Sequence, residues 1–170
     1  MLKSKQQALH ISIFAAIVML VSACGGNIIK PMPKGYVGHS TVRNITVVNA
    51  GSVTSTTIAD RVKKAVRKKA NNELSGNMKI DLKITLDKWQ GTETTVGGSV
   101  TNTLLGSKNY LNGIVDVLDA KTGALIGKYK IYSEHKEGGL LSAKTTTISF
   151  TNVDETVINN FAMYTVYHLE

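Results

Sequence analysis

The sequence predicts an α+β fold, a two-layer sandwich in which a four-stranded mixed sheet carries two helices on one face. Three observations predict it. Met78, Ile80, Leu82, Ile84 and Leu86 alternate with Lys79, Asp81, Lys83, Thr85 and Asp87, the period-two pattern of a strand with one buried and one wet face. Asp119-Ala-Lys-Thr-Gly123 is hairpin chemistry between two further apolar runs, with Gly123 free to take positive φ. Two stretches with apolar residues at helical spacing flank these strands.

The elements follow in order. Val42–Val48 is rich in β-branched residues and reads as the first strand. A Gly/Ser/Thr loop, Asn49–Thr57, leads to a helix with Thr57 as N-cap and Asp60 near its positive end. Ile58, Val62, Ala65, Val66 and Ala70 share one side of that helix, which Asn71-Asn72 and Ser75-Gly76 bring to an end. Met78–Trp89 is the long alternating strand, with Trp89 on its polar register. Tyr110–Leu118 and Leu125–Ser133 are the hairpin strands. From Val153 to His168 a second helix places Val153, Val157, Ile158, Phe161, Tyr164 and Thr165 on one face, with Thr151 or Asn152 as cap. The order is β-α-β-β-β-α. The helix between the first two strands permits a parallel crossover, and the later strands form an antiparallel meander.

Composition agrees with a single globular domain: 170 residues, 42% hydrophobic and 19% charged. One cysteine excludes an intramolecular disulfide framework and a Cys-rich zinc site. His39, His135 and His168 are isolated from one another, and none has a second His or Cys at metal spacing. Neither a phosphate loop nor a G-x-S-x-G elbow occurs. The chain reads as non-enzymatic, with no cofactor or metal and no nucleic-acid partner.

Residues 1–23 read as an export signal. Lys3 and Lys5 precede an apolar run over Ile11–Val21 that is short for a membrane span of ~20 residues. Val21-Ser22-Ala23-Cys24 resembles the lipobox of bacterial lipoproteins. That resemblance implies cleavage before Cys24, lipidation of its sulfur and acyl anchoring at ~0.8 kcal/mol per buried CH₂. With Gly25 next, it favours the outer membrane with the domain facing the periplasm. A plain secretory signal or an uncleaved anchor is the competing reading. Removal of residues 1–23 takes Lys3 and Lys5 and no acid, so the formal charge falls from +8 to +6.

Residues 24–41 read as the lipidated cysteine and a flexible tether. Gly25–Thr41 holds both prolines and four glycines without apolar periodicity, and fully extended it would reach ~55 Å. Residues 42–170 are then the domain. The element order and the stretch Gly113–Tyr132, with its D-A-x-T-G turn, resemble the YajG-like envelope lipoproteins and the amino-terminal domain of TolB. The resemblance implies a fold type and an envelope setting and transfers no catalytic residue.

Two groups of residues are candidates for binding. Arg61, Lys63, Lys64, Arg67 and Lys68 lie on the side of the first helix away from its apolar stripe. They form a basic face for an anionic lipid surface or an acidic protein, or else a solvated helix surface. The segments Gly91–Lys108 and Gly138–Thr147 each combine a Gly pair, a Leu pair and several Thr. Structureless segments as long as the first are often functional, although Thr94–Val96 and Val100–Leu104 are also compatible with a further hairpin. The meander brings both segments to one end of the sheet. Trp89, Leu104, Leu105, Tyr132, His135, Leu140 and Leu141 are therefore the candidate partner-binding residues, with Trp89 either a packed lid or an exposed anchor. The functional expectation is an outer-membrane-anchored lipoprotein acting through protein contacts, self-association included, as an accessory part of an envelope assembly. The alternative is a periplasmic binding module for anionic lipid or cell-wall glycan.

Overall fold

The computed structural model describes residues 25–91, 108–136 and 151–170. Seven elements appear in the order β1 (Gly26–Lys30), β2 (Ser40–Asn49), α1 (Ile58–Glu73), β3 (Met78–Gln90), β4 (Lys108–Asp119), β5 (Leu125–Lys136) and α2 (Thr151–Tyr167). The class is the expected α+β, but the sheet has five strands, in the order β1-β5-β4-β3-β2. β2 and β3 are parallel across the α1 crossover, and the other pairs are antiparallel.

The extra strand corrects the expectation of a tether. Gly26, Asn27 and Ile28 pair antiparallel with Ile131, Lys130 and Tyr129 of β5. Beyond β1 the chain stays docked. Met32 is buried against the sheet, the Tyr36 hydroxyl donates to Asp119 Oδ2 at 2.6 Å, and Gly38 N–H donates to the Leu169 carbonyl at 3.1 Å. Two glycines permit this approach: a Cβ on Gly26 would stand 2.6 Å from the Lys130 carbonyl oxygen, and one on Gly25 3.0 Å from the Tyr164 ring. Pairing of β1 with β5, together with the Met32 and Tyr36 side chains, recruits a segment that has no apolar period.

Both helices cover the same face. Ile80, Leu82, Ile84 and Leu86 of β3, Leu111, Val115 and Val117 of β4, and Tyr129 and Ile131 of β5 are buried beneath them. Ile58, Val62, Val66 and Ala70 of α1 and Val153, Val157, Ile158, Phe161 and Val166 of α2 face the sheet. Gly113 makes room for Phe161, since a Cβ there would lie 3.1 Å from the ring and 2.9 Å from the Thr85 carbonyl. On the opposite face, Lys83, Thr85 and Lys88 line up with Asn112, Ile114 and Asp116 and with Lys128, Lys130 and Tyr132, and no described helix lies over them.

Details at the helix ends depart from the sequence reading. Thr57 precedes α1, but its side chain makes no capping bond; its carbonyl accepts from Arg61 N–H at 3.2 Å. The helix runs through Asn71-Asn72 to Glu73, which pairs with Lys69 one turn earlier. The Asp119–Gly123 turn forms as expected, with Gly123 at φ 72°.

Candidate functional site

The strand directions gather the ends of the two long segments. The chain leaves the described fold after Gly91 and Lys136 and returns at Lys108 and Thr151. β3 pairs antiparallel with β4 from Ile80–Asp119 to Gln90–Tyr110, and Lys108 of β4 pairs with Lys136 of β5. All these points therefore lie at one end of the sheet, with the Asp119–Gly123 turn at the other. α2 begins at the same end, where Asp154 meets Asn109 and Gly91.

A buried polar network underlies that end. Asn109 Nδ2 donates to Asp154 Oδ1 at 3.3 Å, and both residues are buried. Arg61, from the first turn of α1, reaches Asp154 Oδ2 at 4.0 Å and donates to Glu155 Oε1 at 2.9 Å. A burial of this kind costs free energy unless each group is partnered. Here one guanidinium and one amide tie the starts of α1, α2 and β4 together.

Trp89 sits beside this network. A bulge between Leu86 and Lys88 sets Trp89 opposite Leu111, so it turns to the helix-covered face and is only 8% exposed. The extra residue inverts the alternation, which is why a strict period of two placed it on the polar side. Its role is that of a packed lid. Gly91 lies against it: a Cβ there would fall 2.1 Å from the indole ring. The indole Nε1 is buried and has no hydrogen-bond partner among the described residues.

The other expected residues divide. Tyr132 lies on the helix-free face and donates to Glu134. His135 pairs with Asn109 at the same end of the sheet. Its register is that of Ser133 and Ile131, on the helix side, so the two residues do not share a surface. Leu104, Leu105, Leu140, Leu141, the alternative hairpin and Cys24 lie outside the described residues.

The basic face of α1 is narrower than its sequence suggests. Arg61 is engaged with Asp154 and Glu155. Arg67 donates to the Val42 carbonyl at 2.8 Å and the Arg43 carbonyl at 3.1 Å, clamping the helix to a bulge in β2. Arg43 in that bulge pairs with Asp81 through two nitrogens, and Asn44 N–H donates to the same carboxylate at 3.1 Å. This holds the Asp81 carboxyl below its ordinary value. Lys63, Lys64 and Lys68 are exposed. Sequence reasoning missed the Asn109–Asp154–Arg61 network, because its members are 45 or more positions apart and none belongs to a motif.

No protein-family model matches the chain, and neither does any curated protein. Solved structures do match. The PelC dodecamer from Paraburkholderia phytofirmans has a subunit that aligns with a TM-score of 0.51 at 9% identity, over 82% of this chain and 96% of that one. A Xanthomonas campestris protein of the DUF330 family aligns with a TM-score of 0.52 at 9% identity, over 83% of this chain and 90% of that one. At such identities the likeness is one of fold: nearly the whole of each of these chains has the architecture described above.

Proposed function

We propose that the chain is a lipoprotein of the bacterial envelope, held in the outer membrane by an acylated Cys24 and working through protein contacts as an accessory part of an envelope assembly. The observation that carries this reading is the convergence of Gly91, Lys108, Lys136 and Thr151 at one end of a sheet braced by the Asn109–Asp154–Arg61 network. A rigid frame that presents two long segments at one place suits recognition of a partner. The Leu pairs 104–105 and 140–141 belong to those segments in sequence, and an apolar patch open to solvent commonly marks a contact.

Two further points support it. The titratable side chains of the described network are spent on one another, as struts between elements and not as a reactive constellation. The fold is also one that PelC uses as a dodecamer subunit, so self-association joins envelope proteins among the partners proposed here. Lys63, Lys64 and Lys68 supply a cationic surface for an acidic protein. The anionic-lipid alternative for this helix is less favoured. α1 packs on β2, at the opposite edge of the sheet from β1 and the residue that follows Cys24, about 19 Å away at ~4.8 Å per strand.

Crosslinking in intact membranes followed by affinity purification of the full-length protein tests the proposal. Protein partners, or ladders of the chain itself, are expected. Recovery of lipid or glycan with no crosslinked protein would contradict it.

A further inference from the structure

Among the described residues, the most exposed large apolar side chains lie on the sheet edge that follows Cys24 and at the end of α2. Ile28 and Ile29 of β1 are 59% and 54% exposed, and Tyr167 at the end of α2 is 70% exposed. Strand pairing and ring contacts connect β1 to the end of α2. Ile28 pairs with Tyr129, whose ring stacks on His168 at 4.8 Å, and the Tyr167 ring lies 6.0 Å from that of His168. Met163, also exposed, stands one turn before Tyr167 on the outer stripe of α2. The same stripe is polar further from β1, at Glu155 and Asn159. It turns apolar where the helix passes Gly25, which lies against Tyr164.

The described residues on this side begin at Gly25, one residue from Cys24. Cys24 is bonded to Gly25, so its Cα is ~3.8 Å from a residue fixed on the fold. If Cys24 is acylated, the acyl chains enter the bilayer beside β1, and the domain has no slack with which to stand off. Apolar side chains held there would meet the boundary between headgroups and acyl chains, where interfacial segments bury ~5–10 Å deep. Lys30, which donates to the Leu125 carbonyl, and Lys130 opposite Asn27 lie at the same edge on its helix-free face.

We propose that β1 and the end of α2 form a membrane-seating surface, with Ile28, Ile29, Met163 and Tyr167 inserted into the leaflet that holds the Cys24 lipid. This rests on the lipid-anchor reading and deepens it: the anchor is a staple at one edge and fixes the orientation of the domain. The end of the sheet with the long segments lies away from this surface, about 24 Å along β5 from Tyr129 to Lys136 at ~3.4 Å per residue.

The test uses the acylated full-length protein reconstituted in phosphatidylethanolamine–phosphatidylglycerol vesicles. Single cysteines introduced by Ile29→Cys, Tyr167→Cys or, on the far edge strand, Val48→Cys carry an environment-sensitive fluorophore; an acylated Cys24 has no thiol to compete for it. Emission from positions 29 and 167 should shift to the blue and be quenched by spin-labelled lipid, while position 48 reports water. Acylated protein with all three probes in water would overturn the seating surface and leave the anchor standing. A chain without fatty acid at Cys24 would overturn both. A blue shift that follows protein concentration, and not vesicles, would assign the edge to a second copy and overturn the proposal.

Discussion

Asp119 shows how far single residues could be read. Its carboxylate accepts from the N–H of Lys121 and Thr122 at 3.1 and 2.7 Å, from the Thr122 hydroxyl at 2.7 Å, and from Tyr36. The hydroxyl of Tyr36, then that of Thr122 and the turn amides, hold it down to about 2. The folded value lies below the ordinary 3.8, so the charged form contributes stability above about pH 4 that is lost as pH falls towards 2. Asp119→Asn should therefore melt earlier than wild type at pH 7, and the gap should close between pH 4 and 2 in a pH series of thermal melts. The turn was legible because its bonds span four residues; the Tyr36 contact, 83 positions away, was not. His168 has a similar sign with another cause. Burial lowers its pKa, so the neutral ring is favoured in the fold, and stability should fall as pH drops below the ordinary 6.5. His168→Phe keeps an aromatic ring on Tyr129 and should flatten the change in melting temperature between pH 7 and 5. An unchanged slope would show that the stack does not govern it.

Among the elements, those with strong periodicity were legible and the short edge strand was not. The alternation of β3 and the stripes of α1 and α2 each record a buried face, and the structure buries those residues, Met78, Ala65 and Tyr164 only in part. β1 has five residues, two prolines soon after it, and both isoleucines largely exposed. Its place depends on backbone bonding to β5, which leaves no trace in side-chain pattern. Gly26→Val should push β1 from β5, because the added Cβ meets the Lys130 carbonyl oxygen. The expected result is new proteolytic cleavage before Lys34 with the near-ultraviolet signal of buried Trp89 retained; resistance equal to wild type would mean that β1 tolerates the displacement. The bulge before Trp89 is a second case, since one unpaired residue inverts a period that looks regular in sequence. Phe161→Ala, by contrast, removes a ring from the centre of the core beside Gly113. It should cost ~3–5 kcal/mol in denaturant unfolding.

At the scale of the molecule, topology placed the two Leu-bearing segments at one end, and the register bears that placement out for their flanking residues. What could not be read was how the candidates divide around the sheet. Trp89 turned inward through the bulge, Arg61 and Arg67 were taken up by contacts inside the fold, and Tyr132 and His135 fell on opposite faces. The domain is thus polarised, with β1 and the chain's link to Cys24 at one edge and the roots of the long segments at the end remote from the Asp119 turn. Cys24→Ala should abolish fatty-acid labelling; label surviving in that variant would remove the anchor from the account. The central claim is that the chain works by contacts made at the segment end. Its most direct test is affinity purification after crosslinking of Leu104→Ser with Leu105→Ser, and of Leu140→Ser with Leu141→Ser, each paired with a thermal melt. Loss of co-purifying protein or of self-association at an unchanged melting temperature is expected. A large fall in melting temperature with every partner retained would contradict it.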